Sequence, residues 1–187
     1  MASEPEPEDY RPFPNVSRRN WTQELLEVPA MVRFIGLPSG LKILEVGCGR
    51  GVALVPLAKL CAPTLLTGID IDATALKEAS SHLSERGIRA DLMQADMRHM
   101  PFANGTYDII IDFGTCYHIS SAGGALQEIT RVLAIGGLFV YETLANQLMS
   151  HPIRSFGKTL PWEGIGALRP YKTRFLWSSR VKVRVPR

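Results

Sequence analysis

Leu41-Lys42-Ile43-Leu44-Glu45-Val46-Gly47-Cys48-Gly49-Arg50-Gly51 is the stretch from which the fold of this chain is read. A mostly apolar run closes on an acid and a valine, glycine then falls at every second position, and an apolar helical run over 52–60 follows. That pattern predicts a strand, a tight turn and a helix. Glycine has no Cβ and enters positive φ freely, so a ligand can lie against bare backbone in such a turn. The start of the next helix offers free N–H groups and the positive end of a dipole, which suits an anionic group. Together these features point to a nucleotide-like cofactor at the carboxyl end of a first strand.

The chain downstream repeats the alternation. Residues 64–69 read as a second strand ending in Asp70-Ile71-Asp72, with Asp72 as N-cap of a helix over 73–86. Leu76, Ala79 and Leu83 line one face of that helix, and Gly87 closes it. A short third strand spans 88–93, and Asn104-Gly105 marks a turn. Residues 107–112 are continuous in apolar character between two acids, as a buried parallel strand should be. A loop over 113–118 leads to a helix over 122–133 with Leu126, Ile129 and Leu133 inward. Gly136-Gly137 then turns into a fifth strand over 138–142. Strands joined through helices run parallel with right-handed crossovers. The expected class is α/β, Rossmann-like and doubly wound, with helices on both faces of a mostly parallel sheet. Val181, Val183 and Val185 alternate with Lys182 and Arg184, so one or two last strands fall within about 170–186 and are free to run antiparallel.

Upstream, prolines at 5, 7, 12 and 14 among charges make residues 1–19 a flexible arm. The single domain then covers 20–187, with its binding core at 40–143. Leu25, Val28, Val32 and Ile35 recur at helical spacing, but Pro29 interrupts them and predicts two short helices or a kink. That pair either lids the first strand or simply covers the core. Pro56 opposes the carbonyl of Val52, so the helix after the glycine turn starts late or kinks.

Composition narrows the function. At 187 residues and 45% hydrophobic, the chain can bury one proper core. No apolar run approaches a membrane span, and the acidic start lacks the features of a signal peptide, which predicts a cytoplasmic protein. Cys48, Cys61 and Cys116 form no C-x-x-C pair and the four histidines are scattered, so no metal site is expected. The net charge of +3 includes a basic end, 164–187, without any acid. That end either meets a nucleic acid or an anionic membrane surface, or consists of solvated strand faces.

The glycine turn departs from the dinucleotide pattern G-x-G-x-x-G, because its third glycine is one residue early and Val52 stands in the expected place. Asp70 lies 19 residues beyond Gly51, where a carboxylate accepts from both ribose hydroxyls. Glu45-Val-Gly-Cys-Gly-Arg-Gly51, Gly68-Ile-Asp-Ile-Asp72, Ala95-Asp-Met97, Tyr107-Asp-Ile-Ile-Ile-Asp112 and Arg131-Val-Leu-Ala-Ile-Gly-Gly137 occur in this order. As a set they resemble the class I S-adenosylmethionine-dependent methyltransferases, over roughly residues 40–143. The resemblance implies a seven-stranded-type sheet, S-adenosylmethionine as cofactor and S-adenosylhomocysteine as product. It places Glu45, Gly47 and Gly49 around the methionine, with the backbone near Gly49 and Gly51 close to its carboxylate and amine. Cys48 is a small residue that fits the turn. The resemblance also gives Asp70 the ribose, Ile71 the adenine face and Asp96 the adenine amino group. Met97 adds a backbone contact, and Phe113 and Gly114 flank the sulfonium. Where the family often has Lys-Pro before the paired glycines, this chain has Ala134-Ile135.

Methyl transfer from a sulfonium needs alignment more than acid–base chemistry, so no triad is required. Tyr117 and His118 are the acceptor-side candidates; His118 either takes a proton from a hydroxyl acceptor or holds its loop. Cys116 and Cys48 read as small buried residues. Asp112 stands at the ligand-binding end of its strand, and Asp108 caps a turn at the other. Trp162, Tyr171, Phe175 and Trp177 line an acceptor pocket or belong to core and sheet. Nothing reads as an RNA-binding module, so a small-molecule acceptor is expected. The alternatives are a nicotinamide-dependent oxidoreductase and a non-catalytic S-adenosylmethionine-binding protein. No reading of the oligomeric state emerges.

Overall fold

A computed structural model describes residues 16–116, 122–142, 169–173 and 180–184. The helices are α1 (Val16–Thr22), a π-helical turn (Gln23–Glu27), α2 (Val28–Ile35), α3 (Leu54–Cys61), α4 (Ala73–Ser84) and α5 (Ala122–Val132). The strands are β1 (Lys42–Val46), β2 (Leu65–Asp70), β3 (Asp91–Gln94), β4 (Tyr107–Asp112), β5 (Leu133–Glu142), β6 (Arg169–Thr173) and β7 (Arg180–Arg184). They form one sheet in the order β3-β2-β1-β4-β5-β7-β6. The first five are parallel, and β7 and β6 follow antiparallel at the edge. This is the doubly wound α/β layout that the alternation predicts. Strand order reverses between β1 and β4, and a crevice opens at the carboxyl ends of the strands at such a point.

The sheet has a core on each face. Side chains alternate along a strand, so β1 sends Leu44 and Val46 one way and Ile43 the other. Leu44, Val46, Ile110 and Phe139 pack with Ala125, Leu126 and Ile129 of α5. Ile43, Leu66, Ile111 and Val140 pack with Met31, Leu54, Leu57 and Leu83 from α2, α3 and α4. Each fully buried side chain of this size contributes roughly 1.5–3 kcal/mol.

Several boundaries move, each for a local reason. Residues 16–19, read as part of the arm, are helical. Thr22 and Val28 both keep α-helical dihedrals, so Pro29 does not split the segment into two separate helices. Its ring opposes the carbonyl of Leu25, and the wider π turn just before it relieves that opposition while shifting the helical phase. The buried residues are therefore Gln23, Val28, Met31 and Val32, and Leu25 is 52% exposed instead of facing inward. α3 starts at Leu54 rather than Val52, which puts Pro56 in the first turn, where an N–H needs no helical partner. β3 starts at Asp91 because Ile88 is still closing α4, its N–H donating to the Leu83 carbonyl at 2.9 Å. β5 begins at Leu133, with a bulge against β4 that takes up Gly136-Gly137. Among the described residues, no helix is long and apolar enough to cross a membrane.

Candidate cofactor site

The turn between β1 and α3 is stitched to β2. Cys48 N–H donates to the Ile69 carbonyl at 2.9 Å, and Gly51 N–H to the Cys48 carbonyl at 2.8 Å. Gly49 N–H donates to Asp70 Oδ2 at 2.7 Å, while Asp72 N–H donates to Oδ1 at 2.9 Å. Asp70 therefore ties the turn to the end of β2 and keeps further lone pairs on each oxygen. Asp72 caps α4 as expected, accepting from Thr74 N–H at 2.7 Å. The glycines serve two purposes. Gly49 (φ +50°) has no heavy atom within 4 Å of where a Cβ would stand, so its outer side is open. A Cβ on Gly47 (φ +65°) would lie 1.9 Å from Thr115 Oγ1, so that space is already taken by the loop after β4. Cys48 turns inward, against Gly68 and Leu54. Burial pushes its thiol far up, which suits a packing residue and not a nucleophile.

Three acids give the site its character. Glu45 is 2% exposed, and its Oε2 has no hydrogen-bond partner. Burial, then the Asp70 and Asp112 charges, push its carboxyl well above the usual range, with Arg19 of α1 acting in the opposite direction. Asp112 is fully buried and accepts from the N–H groups of Gly114 (2.9 Å), Thr115 (2.6 Å) and Cys116 (3.1 Å). Burial raises it despite those bonds. Asp70 is likewise raised by burial, against the Asp72 and Gly49 amides. Among the described residues, no group of three potential ligands is arranged to hold a metal ion. What complements desolvated, mutually repelling carboxylates is an organic cation. The sulfonium and ammonium of S-adenosylmethionine fit that set. A pyrophosphate, which a nicotinamide cofactor would bring to the same turn, would add two further negative charges.

The remaining predicted residues lie along the same end of the sheet. Ile71 is 58% exposed beside Asp70 and free to take a flat ring. Ala95 N–H donates to the Asp70 carbonyl at 3.0 Å, which brings the Asp96 segment next to β2. Met97 buries its side chain in the α5-side core, which leaves its backbone for contact. Asp96 is engaged by Arg98, whose guanidinium holds it below the usual carboxylate range. Phe113 packs against the core on the α2–α4 side, and Gly114 is held by Asp112. Asp108 accepts from Lys42 N–H at 2.9 Å at the far end of the sheet. Tyr117, His118, Trp162, Phe175 and Trp177 lie outside the described residues, and Tyr171 falls in β6.

Sequence reading missed four contributors. Thr115 fills the space over Gly47, and Arg19 lies close enough to Glu45 to act on its charge. Arg131 and Glu128 of α5 clasp the loop after Asp96. Arg131 donates to the carbonyls of Met100 (2.8 Å) and Phe102 (2.6 Å), and Glu128 accepts from Met100 N–H at 2.9 Å. Arg131 stands inside a quoted motif, three residues after Glu128 on α5, and that oppositely charged i, i+3 pair was the available signal.

A family model described as a methyltransferase domain matches residues 43–137. The sterol 24-C-methyltransferase ERG6B of Gibberella zeae is 32% identical over 117 residues, covering 61% of this chain and 30% of that protein. A ubiquinone biosynthesis O-methyltransferase of Caulobacter sp. is 27% identical over 119 residues, covering 63% and 46%. The chain thus spans less than half the length of these curated relatives. Among solved structures, the PH0226 protein of Pyrococcus horikoshii superposes with a TM-score of 0.72 at 17% identity, over 98% of this chain and all of that one.

Proposed function

Since the chain belongs to the class I S-adenosylmethionine-dependent methyltransferase family, we propose that it binds this cofactor at the β1, β2 and β4 ends and methylates a small organic acceptor. The observation that carries the reading is the buried pair Glu45 and Asp112 with the half-buried Asp70, which holds the open Gly49 by its N–H. When bound, the cofactor supplies a methyl group already activated on a sulfonium and leaves as S-adenosylhomocysteine.

The chain's own residues align and shield. Glu45 faces the ammonium and ionises against it. Gly49 lets the methionine lie on backbone, while Gly51, packed on Ala79, offers only its main chain beyond it. Asp70 accepts from the ribose hydroxyls with the lone pairs that the Gly49 and Asp72 amides leave, and Ile71 covers one adenine face. Asp112 holds the loop that carries Phe113 and Gly114, which flank the reacting centre. Tyr117 and His118, next in the sequence, are the residues assigned to the acceptor side. His118 takes the proton from a hydroxyl acceptor, and a carbon or pre-ionised acceptor needs no base. The domain, expected at 20–187, is taken to include all of α1 and so to begin at Val16. The relatives named for sterol methylation and for O-methylation in ubiquinone biosynthesis support a small organic acceptor here. Three unpaired, buried cysteines, Cys48, Cys61 and Cys116, support a reducing, cytoplasmic setting.

The test is calorimetric titration with S-adenosylhomocysteine, NADH and NADPH in parallel. Micromolar binding of the first alone supports the reading and licenses an acceptor screen by labelled methyl transfer. Binding of a nicotinamide instead would overturn it.

A further inference from the structure

The carboxylate expected to receive the adenine amino group is already engaged on both oxygens by a neighbour. Asp96 Oδ1 accepts from Arg98 N–H at 2.8 Å and from Arg98 Nε at 3.0 Å. Oδ2 accepts from the same Nε at 2.9 Å and from Nη2. A carboxylate offers about four lone-pair directions, and three N–H groups of one residue, with Nε–H shared between both oxygens, occupy most of them here. The two side chains are 28% and 26% exposed, so their charges are screened and a change of partner carries a small desolvation cost. The loop backbone beyond them is pinned, because Arg131 and Glu128 hold Met100 and Phe102.

We propose that Arg98 is a specificity-determining residue of the adenine subsite, where it competes with the 6-amino group for Asp96. This rests on the cofactor reading above. A bound adenine amino group competes with the Arg98 donors on the oxygen it approaches, so its gain is offset by the Arg98 bond it weakens or breaks. The protein as it stands should therefore discriminate poorly between a purine with a 6-amino group and one with hydrogen at that position. Freeing Asp96 should sharpen the discrimination.

The experiment is a cycle of protein against ligand, read by calorimetry. The ligands are S-adenosylhomocysteine and its analogue lacking the 6-amino group; the proteins are wild type and Arg98→Met, which keeps an apolar stem without the donors. In wild type the two ligands should differ by no more than about threefold, because one charge-assisted bond replaces another. In Arg98→Met the adenine ligand should tighten about three- to tenfold while the analogue stays within about twofold, so the ratio reaches about tenfold. Asp96→Ala added to Arg98→Met should erase that ratio, and Arg98→Lys, with a compact point charge in place of the planar fork, should lie between. Circular dichroism and urea midpoints establish that each variant is folded, and Arg98→Lys carries the comparison if Arg98→Met is not. An unchanged ratio in the variants overturns the proposal. So does a parallel loss of affinity for both ligands, which would make Arg98 a loop prop or a direct ligand contact. Failure of wild type to bind either ligand is a different result: it overturns the cofactor reading itself.

Discussion

Gly47, Gly49 and Gly87 share a left-handed backbone, at φ +65°, +50° and +65°, but have different surroundings. Replacing each by alanine therefore separates backbone strain from what lies over the glycine. At Gly87, where a Cβ would meet nothing within 4 Å, alanine costs only the conformational penalty, about 1–2 kcal/mol. Gly49→Ala should cost the same, since its Cβ also meets nothing. Gly47→Ala adds a collision, because the new methyl would lie 1.9 Å from Thr115 Oγ1 and 2.6 Å from Thr115 Cβ. Thr115 is held by its N–H to Asp112 at 2.6 Å and cannot simply swing away. Overpacking of this kind typically costs about 1–3 kcal/mol more, so Gly47→Ala should lose roughly 2–5 kcal/mol in all. Truncating the obstacle in Gly47→Ala/Thr115→Gly should recover part of that. The order reverses for ligand binding. Gly49→Ala puts a methyl on the open side proposed for the cofactor and should weaken S-adenosylhomocysteine at least about tenfold, while Gly87→Ala should leave affinity unchanged. Urea midpoints at constant m-value read the stabilities, and calorimetry reads the affinities. If Gly47→Ala is no worse than Gly87→Ala, the loop after β4 does not rest on the turn. If Gly49→Ala binds like wild type, the cofactor does not lie where the argument puts it.

Asp70→Ala should lose at least about tenfold in S-adenosylhomocysteine affinity, with a stability cost of about 1–3 kcal/mol from the freed Gly49 and Asp72 amides; unchanged affinity would refute its ribose role. Glu45 supplies a pH signature. Its folded carboxyl is raised, so above the unfolded carboxylate range near pH 4.3 the folded state binds more protons than the unfolded one. Stability of the ligand-free protein then falls as pH rises toward the raised value. Glu45→Gln should lessen that fall and stabilise the ligand-free protein at neutral pH while weakening the cationic cofactor, as urea midpoints and titrations across pH would show. An unaltered pH slope would mean that Glu45 ionises freely.

The parts of this molecule that were legible in its sequence are those in which one segment decides its own state. β4 is readable at 107–112 because Ile109, Ile110 and Ile111 run unbroken between two acids, as burial on both faces asks, and Asp72 is readable as a cap because its side chain bonds two residues ahead. Boundaries slipped where the competition was still local but finer than the pattern, as where Ile88 closes α4 before β3 can start. The site was legible to a different depth. A glycine at every second position states that three Cβ atoms are missing, and all three absences were assigned to a ligand. In the folded chain Gly47 lacks its Cβ for Thr115, 68 positions later, and Gly51 lies against Ala79 of α4, so of the three only Gly49 opens toward the crevice. The same holds for the acids. Asp96 and Asp70 look alike in sequence, each an acid at a strand end, yet Asp70 is met by two backbone amides that leave it lone pairs, whereas Asp96 is spent on Arg98. Sequence spacing locates a group that can bind; whether the folded chain has already used it depends on contacts that no spacing records. For that reason the competition at Asp96 and the packing over Gly47 are the two points where experiment tests the structure and not merely the family pattern.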